Sequence, residues 1–351
     1  MPHEISAVLT PAPRDVWADI LQASPQALAF HTPAWLDCLC EVGAYADASR
    51  LYELDDGRRV VLPLVRRRGL PGRLAVEASL PFGWGFGGAV APGGLTAQDA
   101  ALILADLARS RALLISVRPD PLAAASWRAV ASAGMATMHR LAHVLDLDGG
   151  FERVWGQRFA ARARRHSHRA ERDGVVVECD TTGRLMPVFY SLYWSSVDRW
   201  ARQAGQPLQL ARLRARRREP LRKYQVIAAR LGTACRVYVA WVGGQPAAAS
   251  IVLYHGANAS YWRGAMDKGL AGPAQANFLL HRRSIEDACL AGCCYYHMGE
   301  SGNSDSLAHF KEAFGAVPYR YLEYHLERLP ITRLTSGARQ LASRVARGKL
   351  R

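Results

Sequence analysis

Residues 309–324, HFKEAFGAVPYRYLEY, set one lysine between two phenylalanines. Lysine occurs at only four of the 351 positions (223, 268, 311 and 349), against 41 arginines. A chain that uses arginine wherever a cation serves has placed a lysine at 311 for something arginine does poorly. Lysine offers a compact point charge on a flexible stem, with a pKa that moves with its surroundings. Such a group suits the stabilisation of a developing negative charge. On a helical wheel Leu307, Phe310 and Phe314 share one face, and Lys311 lies about 65° from the centre of that stripe. Its stem can follow the stripe while its ammonium enters an adjacent cleft. The loop before it, GESGNS (residues 299–304), can turn backbone N–H groups toward an anion, with Ser304 as helix cap. Asn303 and Ser304 are therefore candidate substrate-binding residues. Glu300, at the end of the preceding strand, is the candidate general base.

Other motifs lead elsewhere. GWGFGG supplies Gly83, Gly85 and Gly88 at the spacing of a dinucleotide fingerprint. That motif needs its last glycine to open a helix. Here AVAPGG follows and delays the helix to about Thr96, so the stretch reads as a tight loop lining a cleft. Seven cysteines are scattered without paired CxxC units, which points to reduced thiols and no metal site. His139 and His143 are four apart on a strand and read as structural or surface residues.

The net charge of +15 is unevenly distributed. Residues 1–150 carry −2, residues 151–230 carry +11, and residues 231–330 are neutral. Residues 331–351 hold six basic residues and no acid. An excess confined to one segment and a tail fits a polyanionic partner: phosphates, RNA or a membrane surface. No apolar run is long enough to span a bilayer, and the N-terminus lacks a signal-peptide pattern. A cytoplasmic location is expected.

The elements that must position these residues follow from periodicity. A helix is expected over 33–43 and a hairpin around Asp56–Gly57. An amphipathic helix follows Thr96, then a buried strand, a helix ending at Gly134 and a strand over 139–148. Residues 152–172 read as an arginine-studded helix, and 207–231 as two helices broken at Pro220. A hairpin over 235–255 and a strand over 259–267 come next, followed by a helix, a strand, the Lys311 helix and a last strand. Strands interleaved with helices in both halves predict an α/β chain with mixed α+β sheets and a duplicated unit. The expected division is 1–150, 151–330 and a basic tail, 331–351.

The strand ending in glycine, the polar loop and L-x-x-F-K-x-x-F-G resemble the C-terminal unit of Fem-type transferases and the related GNAT-superfamily domains. SLPFGWGFGGAV is similar to the first unit's apolar strand and Gly-Gly loop. RRHSHRAERDGVVVE is similar to the family's arginine-rich helix, and YWRGAMD to the central strand of the second unit. The resemblance spans roughly residues 30–325. It implies two GNAT-like acyltransferase units in tandem and the formation of an amide on an amine acceptor, such as a small molecule or a cell-envelope precursor. No tightly bound cofactor is implied. The co-substrate is acyl-CoA or aminoacyl-tRNA. DKGLAGPAQANF lacks the usual CoA-binding glycine pattern, which together with the charge leans toward tRNA. The resemblance places Phe310 and Lys311 in the catalytic cleft and gives Arg165 and Arg169 phosphates to bind. Tyr261 and Arg263 would face substrate from the same side of their strand.

A different class of function also fits the charge: a non-catalytic basic module for RNA or an anionic membrane. The tail supports it, with Leu334, Ala338, Leu341 and Val345 on one helical face.

Overall fold

The computed structural model describes residues 3–130, 135–302 and 304–329. The basic tail, Asn303 and Gly134 lie outside the described residues. The chain forms two compact units, each assembled from separated stretches of sequence. One contains residues up to Ser24, Ala44–Arg140 and those from Arg320; the other contains Pro25–Gly43 and Leu141–Tyr319. The units are thus discontinuous, where the sequence reading drew contiguous ones. Residues 25–43 belong with the second unit, because the helix Pro33–Val42 packs on the helix Leu221–Leu231.

In the first unit Ile5–Leu9, Arg50–Leu54 and Arg59–Leu62 form an antiparallel sheet, and the expected turn is present with Gly57 at φ +82°. A second set of strands runs in the order Tyr45–Asp47, Val65–Arg67, Val76–Ser79, Leu114–Val117. The pair Val76–Ser79 and Leu114–Val117 is parallel. The helix Ala97–Arg109 connects them and is capped reciprocally by Thr96 and Asp99. Leu114–Val117 also pairs antiparallel with residues 324–327. Buried Leu62, Ile103, Leu107, Val117 and Trp127 form the core.

The second unit repeats this device. Its strands run in the order Leu141–Asp146 (the end of a strand that begins at Ala136), Tyr295–Glu300, Asn258–Met266, Gln245–His255, Cys235–Val242, Val176–Asp180. Tyr295–Glu300 and Asn258–Met266 are the parallel pair, linked through the helix Ala276–Leu290. Each unit thus holds one strand–helix–parallel-strand crossover, the duplication the sequence hinted at. The arginine-studded segment is not one continuous helix. Gly150–Arg153 runs into a wide turn at Val154–Arg158, and Ala161–Arg172 follows. Gly156 within that turn weakens a regular ladder. Ala163, Ser167 and Ala170 are the small residues that let the later helix lie against Ala276–Leu290.

Candidate active site

The parallel strands Asn258–Met266 and Tyr295–Glu300 pair only from Asn258/Tyr295 to Ser260/His297. The paired end is fixed by buried polar contacts. His297 Nε2 lies 3.2 Å from Asn258 Oδ1, and Asn258 Nδ2 donates to the carbonyls of Pro25 and Ala27 at 2.8 and 3.1 Å. Past that point both strands leave the regular pattern. The first has a bulge opposite Ile251 and Val252, and the second shifts register between His297 and Gly299. The ladder therefore opens into a wedge.

Lys311 fills the carbonyl side of that wedge. Its helix, Asp305–Glu312, starts at Ser304, whose Oγ accepts from the Leu307 N–H at 3.3 Å. Gly315 stops the next turn at φ +83°, where a Cβ would fall 2.6 Å from the Arg158 carbonyl oxygen. The buried stripe is not the one expected. Leu307 is 39% exposed, while Lys311 is 2% exposed and Phe314 is fully buried. Lys311 Nζ donates to the carbonyls of Gly299 at 2.9 Å and Glu300 at 2.8 Å. Successive carbonyls in a strand normally point to opposite sides. Gly299, at φ +72°, turns both toward one ammonium. Burial pushes the Lys311 pKa down to about 7, against the opposing pull of the Glu300 carboxylate. A buried ammonium held this way is a charge ready to respond to a change nearby.

An aromatic wall stands beside it. Phe310 contacts Phe278, His281 and Phe314 at ring distances of 5.1, 5.3 and 5.2 Å, and Tyr261 lies 4.9 Å from His281. His281 is 5% exposed, its Nδ1 has no hydrogen-bond partner, and burial followed by the Lys311 charge pushes its pKa down to about 3. It is a neutral ring. Burial raises the Tyr261 pKa to about 12, so its phenol keeps its proton.

Lys311, Phe310, Glu300 and Tyr261 thus come together, with Ser304 as helix cap. Arg263 does not join them. The bulge at Trp262 reverses the alternation that would have put Arg263 beside Tyr261. Arg263 instead pairs with Glu219 at 2.8 Å, within a buried network in which Lys223 and Tyr224 each lie 2.9 Å from Glu219. Arg165 and Arg169 are exposed on the helix Ala161–Arg172, and Arg169 reaches Asp173 at 3.3 Å. Both charges act on His166, whose ring lies 4.8 Å from Phe278, so they flank the outer end of the aromatic wall.

Two residues with a part here were missed. His281 carried no signal beyond its place in a helix. His143, read as structural or surface, is fully buried and pairs across the strands with Gly299. Its Nδ1 lies 2.9 Å from Ser301 Oγ, and its Nε2 lies 3.5 Å from Glu312. It ties the residue after Glu300 to the helix that carries Lys311.

Residues 157–312 match the family model for an acetyltransferase (GNAT) domain, so the match contains Tyr261, His281, Glu300, Phe310 and Lys311 but not His143 or Phe314. No curated protein matches the chain. Among solved structures it is similar to FemX (TM-score 0.66, 11% identity, covering 93% of this chain and 99% of that one). L-PGS from Bacillus licheniformis is similar with a TM-score of 0.51 and 14% identity, covering 93% of this chain and 96% of that one. The C-terminal domain of a putative lysylphosphatidylglycerol synthetase from Agrobacterium fabrum gives 0.50 and 14%, covering 88% and 92%. At these identities the likeness is one of fold. The match to the acetyltransferase (GNAT) model thus covers residues 157–312, in a chain whose mixed α/β fold is similar to that of FemX.

Proposed function

We propose that this chain is an acyltransferase that joins an acyl or aminoacyl group to an amine, with Lys311 as its electrostatic centre. The observation that carries this is the buried Lys311 ammonium, held by two carbonyls where the parallel strands of a GNAT domain part. An ammonium has three protons. Two are taken by Gly299 and Glu300, and the third is left for an oxygen in the wedge.

The chemistry follows. The amine nitrogen attacks the acyl carbon, a C–N bond forms, and the carbonyl oxygen takes the electron pair. The third Lys311 proton meets that oxyanion in a site from which Phe310, Phe278 and Phe314 exclude water, where such a contact is worth far more than in solvent. Glu300 takes the proton released by the nitrogen. The oxyanion then collapses and the bond to the leaving group breaks, C–S for acyl-CoA or C–O for aminoacyl-tRNA, and the departing sulfur or oxygen takes the proton held by Glu300. Tyr261 and Phe310 shape the acyl pocket, and Arg165 and Arg169 meet donor phosphates at its rim. The acceptor is an amine of a small molecule or of a cell-envelope precursor, and the reaction is set in the cytoplasm. Among the described residues no helix is long and apolar enough to cross a membrane.

Thermal-shift titration with a panel of acyl-CoAs and with bulk tRNA separates the donors, because a ligand of the folded state raises the melting temperature. A saturable shift with one acyl-CoA identifies a thioester donor. Amide formation from an aminoacyl-tRNA, with no shift from any acyl-CoA, identifies an aminoacyl ester. Lys311→Met should then lower amide formation by about 100-fold or more, the cost of removing one oxyanion donor. Full activity in that variant would overturn the assignment.

A further inference from the structure

A second feature of this unit shares no residue with the Lys311 site. The helix Met186–Gln203 and the helix Leu208–Arg218 form a hairpin, pinned by Arg212 to Asp198 at 2.6–2.8 Å. Between them runs an open groove lined by Tyr190, Trp194, Gln209, Arg212, Leu213 and Arg216. Tyr190 and Trp194 are half-buried and one helical turn apart, with rings 5.6 Å apart and edge to face. Arg212 and Arg216 repeat the same four-residue step on the facing helix. The groove therefore sets a row of rings against a row of guanidinium groups.

The surroundings are cationic throughout. Residues 199–218 hold seven arginines and no acidic residue. Of the five on the helix Leu208–Arg218, only Arg212 has an ion-pair partner among the described residues. The remaining four, Arg214, Arg216, Arg217 and Arg218, are exposed like-charged neighbours without compensation. Such an arrangement costs stability and is relieved by an anion. The helix itself buries no residue. At 100° per residue Leu210 and Leu213 share a face, but Arg217 falls between them and Leu208 lies on the far side, so no apolar stripe forms, whereas an interfacial membrane helix needs one.

We propose that this groove binds an unpaired nucleic-acid strand. The bases would pack on the Tyr190 and Trp194 rings, and the phosphates would be taken by Arg212, Arg216 and the neighbouring arginines. Aromatic rings beside a cationic track are what an unpaired strand requires, because every base has a stackable face and every link carries one charge. A folded acidic protein would satisfy the arginines but leave the rings unused. The surface is a property of the hairpin and holds whichever acyl donor the Lys311 site accepts.

The test is fluorescence anisotropy with a labelled single-stranded RNA of about ten nucleotides, within the usual site size for such grooves, titrated at about 0.15 M salt. The full-length chain is used throughout, with circular dichroism and melting temperature recorded for each variant. Wild-type protein should bind saturably. Arg216→Glu, a change at an exposed position, should weaken binding by at least about tenfold and flatten its salt dependence. Trp194→Ala should weaken it by about fivefold to 100-fold, the range for one lost stacking partner, and Trp194→Phe should restore most of the loss. Absence of binding by the wild type, or equal binding by Arg216→Glu and Trp194→Ala, would overturn the proposal. Capture by vesicles containing phosphatidylglycerol, abolished by the same variants while RNA is ignored, would overturn it in favour of a lipid surface. Loss of RNA binding in Arg216→Glu with amide formation from an acyl-CoA retained would leave the catalytic reading standing. The reverse pattern in Lys311→Met would leave the groove standing.

Discussion

Lys311 Nζ sits 2.9 Å from the carbonyl oxygen of Gly299, and it does so because Gly299 adopts a backbone conformation closed to most residues, φ +72°. Lysine and glycine are one device. The lysine supplies a charge, and the glycine turns two carbonyls toward it. A Cβ at 299 would lie 3.5 Å from the Tyr261 carbonyl oxygen, an ordinary contact, so space is not the obstacle. Gly299→Ala should cost about 1–2 kcal/mol for the left-handed backbone alone. If the backbone relaxes, one carbonyl leaves the ammonium. The turnover number should then fall by more than the stability loss explains. Urea unfolding and initial rates on the same preparation check this; an unchanged rate would mean that the carbonyl geometry is incidental.

The lysine's burial has a thermodynamic signature. Its pKa is about 7 in the folded chain and 10.5 when solvated, so between those values the unfolded state binds the extra proton. Stability therefore rises with pH across that window, and the burial penalty is fully present below about pH 7. Lys311→Met removes the group. The variant should equal or exceed the wild type in stability at pH 6, by an amount on the order of a few kcal/mol, and lose that advantage toward pH 10. Chemical unfolding of both proteins across this range checks the sign. Activity should move oppositely: if the charged form stabilises the oxyanion, turnover falls as pH rises through about 7.

Much of this site was legible in the sequence, and the failures have physical causes. Rarity of lysine, a glycine-ended strand and the Phe310–Gly315 spacing located the Lys311 helix and its cleft, because these are local patterns. The wheel misjudged the face: it ranked Leu307 as core and Lys311 as flank. The helix packs with Phe310, Lys311 and Phe314 inward, since the strand-end carbonyls give the ammonium partners that no wheel can display. Arg263 was misplaced by a single bulge, which inverts every later side chain and leaves no mark in composition. His143 lies more than 150 residues from Ser301, and only strand pairing brings them together. The unit boundaries failed for the same reason. Strand exchange is long-range, and charge or Pro/Gly punctuation does not register it.

The first unit has its own buried charge cluster. Glu323 accepts from Arg118 at 3.1–3.2 Å and from Arg140 at 2.5–2.8 Å. Arg118 is 5% exposed and Glu323 6%. Burial works to raise the Glu323 pKa, but the charges of Arg118 and Arg140 outweigh it and hold the carboxyl below its ordinary value. The stabilisation is therefore present above the usual glutamate range and is lost as pH falls through the depressed value. Glu323→Gln would leave two guanidinium groups facing a neutral amide. It should destabilise the unit by about 3–5 kcal/mol at neutral pH, with the difference from wild type shrinking in acid. Differential scanning calorimetry at neutral and acidic pH measures both quantities. A small penalty at every pH would show that solvent already screens the cluster.

His143 provides the sharpest test of how the Glu300 loop is held. Its Nδ1 meets Ser301 Oγ, its Nε2 faces Glu312, and burial, then the Lys311 charge, lowers its pKa. At neutral pH it is uncharged and acts as a hydrogen-bonding strut between the Glu300 loop and the Lys311 helix. In the proposed reaction it would act through those neighbours, as a positioning residue. His143→Ala should reduce turnover by about tenfold, the scale of one lost positioning hydrogen bond, with little change in KM for the acyl donor. His143→Asn, which keeps a polar atom near Ser301, should recover part of the loss. The wild type should also lose stability as pH drops below 6.5, the ordinary histidine value, because the unfolded chain then gains a proton that the buried ring resists. Neither variant can show that contribution. If both lose turnover equally and their acid stability still follows the wild type, the strut is packing alone, and the loop is held by Gly299 and Lys311 without it.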